Sequence, residues 1–258
     1  MSSKPNGSGG IQVFGDGVSR NTIGGTSPEA TNLISGNSGN GVWLRASSNK
    51  VLGNVIGTQR DGSSALGNLD AGVQILPGRS NTIKGNVIAF SRFDPGVIVQ
   101  SVRGDPSTGN RILNNSIFSN DGLGIDLVHP DLDGVTADDP QDSDKGPNGL
   151  QNFPELLSAT TNNPDGTSVI KNRLRSQSSR TYKVQFISSD EKDASSFGEG
   201  EAFIGQTTVT TNSNGTAPFT FRLPRLLSPG VFVTGTATNK ATGDTSEFSL
   251  AREVTVAP

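Results

Sequence analysis

Cysteine is absent from the 258-residue chain, which excludes a disulfide framework and a thiol nucleophile. It does not identify the compartment. Tryptophan, tyrosine, methionine and histidine occur once each, and aromatics make up 5% of the residues. The lone histidine, His129, lies in an acidic stretch and reads as a surface residue; no Ser-His-Asp nucleophile signature accompanies it. No apolar run approaches the roughly 20 residues of a membrane-spanning helix. The first ten residues, MSSKPNGSGG, are polar and hold no apolar signal region. Charge is also scarce, with 21 Lys and Arg against 24 Asp and Glu. No basic stripe is present to displace counterions from phosphates, which argues against nucleic acid as a partner.

What remains is rich in small polar residues and turn formers, including 33 glycines. Low charge with many tight turns suits an all-β chain. No window keeps apolar residues at helical spacing over three turns, because Gly and Asn interrupt every run.

Three short elements recur in a fixed order. One is Gly before an alternating apolar triplet: Gly41-Val42-Trp43-Leu44, Gly72-Val73-Gln74-Ile75, Gly96-Val97-Ile98-Val99 and Gly124-Ile125-Asp126-Leu127. The others are Asn21-Thr22-Ile23, Asn49-Lys50-Val51, Asn81-Thr82-Ile83 and Asn110-Arg111-Ile112, followed by Asn32-Leu33-Ile34, Asn54-Val55-Ile56, Asn86-Val87-Ile88 and Asn115-Ser116-Ile117. Three strands per period of about 22 to 32 residues describes a three-faced coil that buries its apolar side by stacking on the next. Val42, Val73, Val97 and Ile125 are expected to stack inward, as are Leu44, Ile75, Val99 and Leu127, and Ile34, Ile56, Ile88 and Ile117. Trp43, Gln74, Ile98 and Asp126 should face outward. Asn32, Asn54, Asn86 and Asn115 should form a hydrogen-bonded ladder, since an amide both donates and accepts.

The repeat ends after Leu127. Residues 1–130 are therefore read as a parallel β-helix and 131–157 as an acidic junction. Residues 158–258, with longer alternating strands between turn signals, are read as an antiparallel β-sandwich. Strands are expected at 181–187, 202–211, 216–222, 231–238 and 247–256, with Tyr182, Val184 and Phe186 in the core.

The stretches GNVIGTQRDGSSALGN and GLGIDL…DPQDSDKGPNGLQNFPEL resemble bacterial secreted proteins with right-handed parallel β-helix repeats, the pectate-lyase-like architecture. The ending TGTATNKATGDTSEFS is similar to the immunoglobulin-like module that follows such helices. The resemblance implies an exported, cell-surface protein with further domains upstream. It defines a fold better than an activity.

Two kinds of site are expected. Asp139, Asp142, Asp144 and Asn148 alternate along a turning loop around Gly146, a pattern suited to the many oxygen ligands of a structural Ca²⁺ ion. Asp131 and Asp133 could add ligands, and the alternative is a solvated acidic linker. On the coils, Asp70 and Asp94 both lie two residues before a repeated Gly, so they should sit one coil apart, about 4.8 Å. With nearby Arg92 they are the best catalytic candidates, although a polar coil corner is the favoured reading of them. Outward Trp43 can stack on a sugar ring, with Gln74 and Asp126 in the same row. The segment Gly57 to Asn68 could cover that indole or wall a groove beside it. The expected function is a stalk or polysaccharide-binding module contacting a cell-surface glycan. The alternative is a polysaccharide lyase or glycoside hydrolase acting on the β-helix face.

Overall fold

A computed structural model describes residues 6–103, 105–128 and 134–258. His129, Asp131 and Asp133 lie outside the described residues. The chain is nearly all β, and its first half is a parallel β-solenoid of about four turns. The first sheet contains Ile11–Ser19, Val42–Ser47, Val73–Ile75, Val97–Gln100 and Ile125–Val128, each parallel to the next. The second contains Thr22–Gly24, Lys50–Leu52, Thr82–Lys84 and Arg111–Leu113; the third contains Leu33–Ile34, Val55–Ile56, Val87–Ala89 and Ser116–Phe118. The chain visits the three sheets in turn, so equivalent residues of successive coils lie in register. Val42 pairs with Val73, Val73 with Val97, and Val97 with Ile125.

The three expected inward rows are buried, and Ile23, Val51, Ile83 and Ile112 form a fourth. Each such side chain, removed from water, contributes about 1.5–3 kcal/mol before entropy is counted. Ile98 belongs to the outward row by register yet is only 7% exposed, and it lies outside the column's core cluster.

The asparagine ladder at Asn32, Asn54, Asn86 and Asn115 forms. Asn54 donates its backbone N–H and Nδ2 to Asn86 Oδ1 (2.9 and 3.1 Å), and Asn86 does the same to Asn115 (3.0 and 2.9 Å). Two further ladders run along the other corners. One joins Asn21, Asn49, Asn81 and Asn110 and continues into Asn148. The other runs from Asn6 through Asn37, Asn68 and Asn120, with Ser91 where an asparagine would stand. The residue before many ladder positions turns the corner with positive φ: Ser48, Ser80 and Gly109 on one ladder, Gly53, Gly85 and Asn114 on another. Gly53 is obligatory, because a Cβ there would lie 2.1 Å from the Gly25 carbonyl oxygen.

The C-terminal half forms one seven-stranded sheet, ordered Ala202–Thr210, Thr181–Ser189, Phe232–Asn239, Arg252–Val256, Glu155–Thr161, Ser168–Arg175 and Thr216–Leu223. Two strands, Glu155–Thr161 and Ser168–Arg175, were not expected from their sequence, and the first begins inside the anticipated junction. The sheet is mixed rather than purely antiparallel, because Glu155–Thr161 pairs parallel with Arg252–Val256. The expected strand at 247–256 is shorter, since the chain at 246–249 forms no strand and Glu247 turns into the molecule. The sheet curls until its distant strands meet: Phe186 stacks on Phe221 with centroids 4.6 Å apart. Tyr182, Val184 and Phe186 are fully buried, as expected.

This half also closes the solenoid. Leu150, Ile187 and Phe248 join the buried cluster of the column. Ile117 and Gly200 exchange two backbone hydrogen bonds of 2.7 Å. Two ladders end in groups from beyond the repeat: Asn148 Oδ1 accepts from Asn110 N–H (3.0 Å), and Glu199 Oε1 accepts from both the backbone and the amide of Asn120 (3.1 and 2.8 Å).

Candidate functional site

The outward row of the first sheet places Trp43 between Gln12 and Gln74 on neighbouring strands. Beside it opens a cavity of about 180 Å³ bounded by Gln12, Ser38, Asn40, Trp43 and Asp70. The Arg45 guanidinium carbon lies 5.2 Å from the indole centre and covers one region of the ring. Asn40 Nδ2 donates to Gln74 Oε1 (3.0 Å), which orients the amide. Its Oδ1 is left buried without a partner, and so is the indole N–H of Trp43. A buried polar atom without a partner costs about 1–3 kcal/mol, so this corner carries one unmet acceptor and one unmet donor.

Asp70 and Asp94 come together as their shared coil position requires. Burial raises the Asp94 carboxyl above its ordinary value and the Asp70 charge raises it further, while the Ala71 N–H holds it down. Neither aspartate enters an ion pair among the described residues. Of the three expected catalytic residues only Asp70 lines the Trp43 cavity, and Arg92 stands apart from it. It lines a different one, of about 500 Å³, with Phe90 and Asp121. Segment 57–68 contributes Ala65, Leu66 and Gly67 to that second cavity, so it walls the third-sheet corner rather than the indole. Gln74 touches the Trp43 site through Asn40, whereas Asp126 lies three coils along the row.

Asp139, Asp142 and Asp144 each offer an oxygen within 4.8 Å of the others. Asp142 is buried; its carboxylate accepts from Asn152 N–H (2.7 Å) and Ser176 Oγ (2.8 Å). Burial nevertheless pushes its pKa up to about 6, with the charges of Asp144 and Asp139 adding to the shift. Asp139 accepts from Ser143 N–H and Oγ. Asn148, also expected as a ligand, is buried with its amide hydrogen-bonded. Its Oδ1 ends a ladder, and its Nδ2 donates to the carbonyls of Asn110 and Thr245 (2.8 and 3.0 Å).

The acids at the junction of the two halves were not legible in the sequence. Glu247 is buried and accepts from Leu127 N–H and Thr136 N–H, both at 2.9 Å. Desolvation pushes its pKa to about 8, with Asp126 and Asp138 adding repulsion. Burial likewise pushes Glu199 and Asp138 to about 7. The surroundings of Glu199 and Glu247 come from segments some 80 to 120 residues away, whereas Asp138 accepts from Phe153 N–H 15 residues on; no local motif announces them.

The fold and this cavity define a β-solenoid protein with a small polar cavity beside its first sheet. No protein-family profile matches the chain, and no curated protein matches it. No described helix is long and apolar enough to cross a membrane.

Proposed function

We propose that this chain is a polysaccharide-binding module of an exported, cell-surface protein, with its glycan held at the Trp43 cavity. The observation that carries the reading is the outward indole of Trp43, the only one of the chain, lining a cavity together with the polar side chains of Gln12, Asn40 and Asp70. Sugars are bound by aromatic faces together with a few directed hydrogen bonds, and this cavity offers both. Gln12 and Gln74 extend the row to neighbouring coils, which suits an extended chain of sugar units. We read the winding as right-handed, the sense taken by about 98% of parallel crossover connections, and the curled C-terminal sheet as an immunoglobulin-like sandwich. Export and further upstream domains follow from the motif resemblance.

A glycan array probed with the full chain, followed by calorimetry on the retained glycans, tests the reading. Binding that Trp43→Ala removes supports it. An array with no retained glycan overturns it.

A structural Ca²⁺ at Asp139, Asp142 and Asp144 is favoured by their convergence within 4.8 Å. A hard cation takes carboxylate oxygens and would offset their mutual repulsion. Calcium should raise the melting temperature of chelator-treated protein, and Asp139→Asn with Asp144→Asn should abolish the rise. A melting temperature indifferent to calcium discards the ion.

A further inference from the structure

We infer that the groove along the third-sheet corner docks an extended, basic peptide segment of a partner protein, with its cationic side chains on an acidic wall and its apolar side chains on Phe90 and Phe118. Three adjoining cavities of about 500, 490 and 390 Å³ form the groove. The first two share Phe90 and Ser119, and the last two share Ser63, Phe118 and Asp190. Each has the size common for ligand sites, roughly 300–1,000 Å³. The groove shares only Ser38 with the Trp43 cavity, so its use does not depend on the glycan reading.

The coil register builds its floor. Ser38, Leu69, Arg92 and Asp121 each follow a rung of the ladder that Ser91 interrupts, one per coil, and all four line the first cavity. Four coils span about 14 Å along the column, room for about four residues of extended chain. Phe90 and Phe118 meet edge to face with centroids 5.7 Å apart, and both stay partly exposed. Residues 62–67 wall one side, held by the Thr58–Ala65 bridge and by Asp61, which accepts from the N–H groups of Ser63 and Ser64. Residues 188–194 and 199–202 wall the other. The Ile117–Gly200 backbone pair and the Asn120–Glu199 hydrogen bond fix that side to the column.

This second wall carries Asp190, Glu191, Asp193 and Glu201 against one cation, Lys192. None of the ion pairs among the described residues includes any of them. Such a wall attracts a cationic partner and repels nucleic acid and acidic glycans. A neutral glycan leaves these charges unused. A metal ion or a small polyamine leaves the two rings unused. Side chains of an extended strand alternate between its faces, so one chain can set apolar groups on the rings and ammonium groups against the acids.

The probe is a fluorescein-labelled peptide of seven residues that alternates lysine with leucine, titrated into the full chain and followed by anisotropy. Analogues with glutamate for lysine, or serine for leucine, are titrated in parallel. The lysine–leucine peptide should bind at least about tenfold more tightly than either analogue. Asp190→Asn with Glu201→Gln, both at exposed positions, should weaken it by about tenfold. Phe118→Ser should reduce it to the level of the serine analogue. No binding overturns the inference, and so does equal binding of the serine analogue, which would show charge attraction alone. Affinity unchanged in the Asp190/Glu201 variant overturns it as well, since the peptide would then sit elsewhere. Spermine or cellohexaose that displaces the peptide at equal concentration assigns the groove to a polyamine or a neutral glycan instead.

Discussion

The solenoid and the C-terminal sheet bury their polar groups in different ways. In the solenoid, one amide per corner is handed from coil to coil, so each buried Asn satisfies the backbone N–H of its neighbour. The core beneath is built from Val, Ile and Leu, one layer per turn. In the sheet, polar groups are satisfied by strand pairing, and the core is a single cluster around Tyr182 and Phe186. Solenoid stability is therefore a sum over similar layers, whereas the sheet depends on a few large side chains meeting across sequence-distant strands.

Breaking the sheet's cluster should have the largest effect. Phe186→Ala removes the ring stacked on Phe221, leaves a cavity, and should cost about 3–5 kcal/mol in urea denaturation. Removing a middle rung of the solenoid comes next. Asn86→Ala strands the donors of Asn54 and should cost about 3 kcal/mol, while Asn32→Ala, at the exposed start of the same ladder, should cost under about 1 kcal/mol. Equal losses at the two positions would show that the ladder is not what stabilises the corner.

The seam between the halves should respond to pH. Glu247 holds its proton up to about 8 in the folded chain, against an ordinary value of 4.5. Between those values the unfolded chain gives up a proton that the folded chain retains. Stability therefore falls as pH rises from about 4.5 to 8, by less than the ~5 kcal/mol that the full shift sets as a ceiling. Glu199 and Asp138 act with the same sign up to about 7. Urea midpoints measured at pH 5 and pH 8 should differ accordingly, and Glu247→Gln should lessen the difference. A midpoint that rises with pH would contradict this account of the seam.

The smallest effect is a gain. Ser91 occupies an asparagine position in its ladder, and its buried Oγ has no partner. Ser91→Asn should restore the rung and add about 1 kcal/mol, seen as a higher melting temperature. A loss would mean that the corner cannot hold the longer side chain.

Much of the solenoid was legible because its information is local and repeated. Gly before an alternating triplet recurs four times, and each recurrence confirms the register of the others. One ladder was foreseen at Asn32, Asn54, Asn86 and Asn115. The ladder through Asn37, Asn68 and Asn120 was missed because Ser91 interrupts its pattern. Trp43 and Asp70 were singled out separately, by outward alternation and by their offset from a glycine. Asn40, which completes their cavity, was not, since nothing in its sequence context distinguishes it from other corner residues. Arg92 is close to Asp94 along the chain but faces another cavity, because the coil turns between them.

Sequence alone determined the coil period, the inward rows and the outward position of the indole, since these follow from side chains alternating on strands that stack at fixed spacing. Tertiary structure decided how the column ends. Glu199, Glu247, Phe248 and Asn148 acquire their roles only when a distant segment folds against the last coil, and burial there changes the character of their groups. A carboxylate's surroundings are set by what excludes water from it, and along this chain those neighbours are as far as 120 residues away.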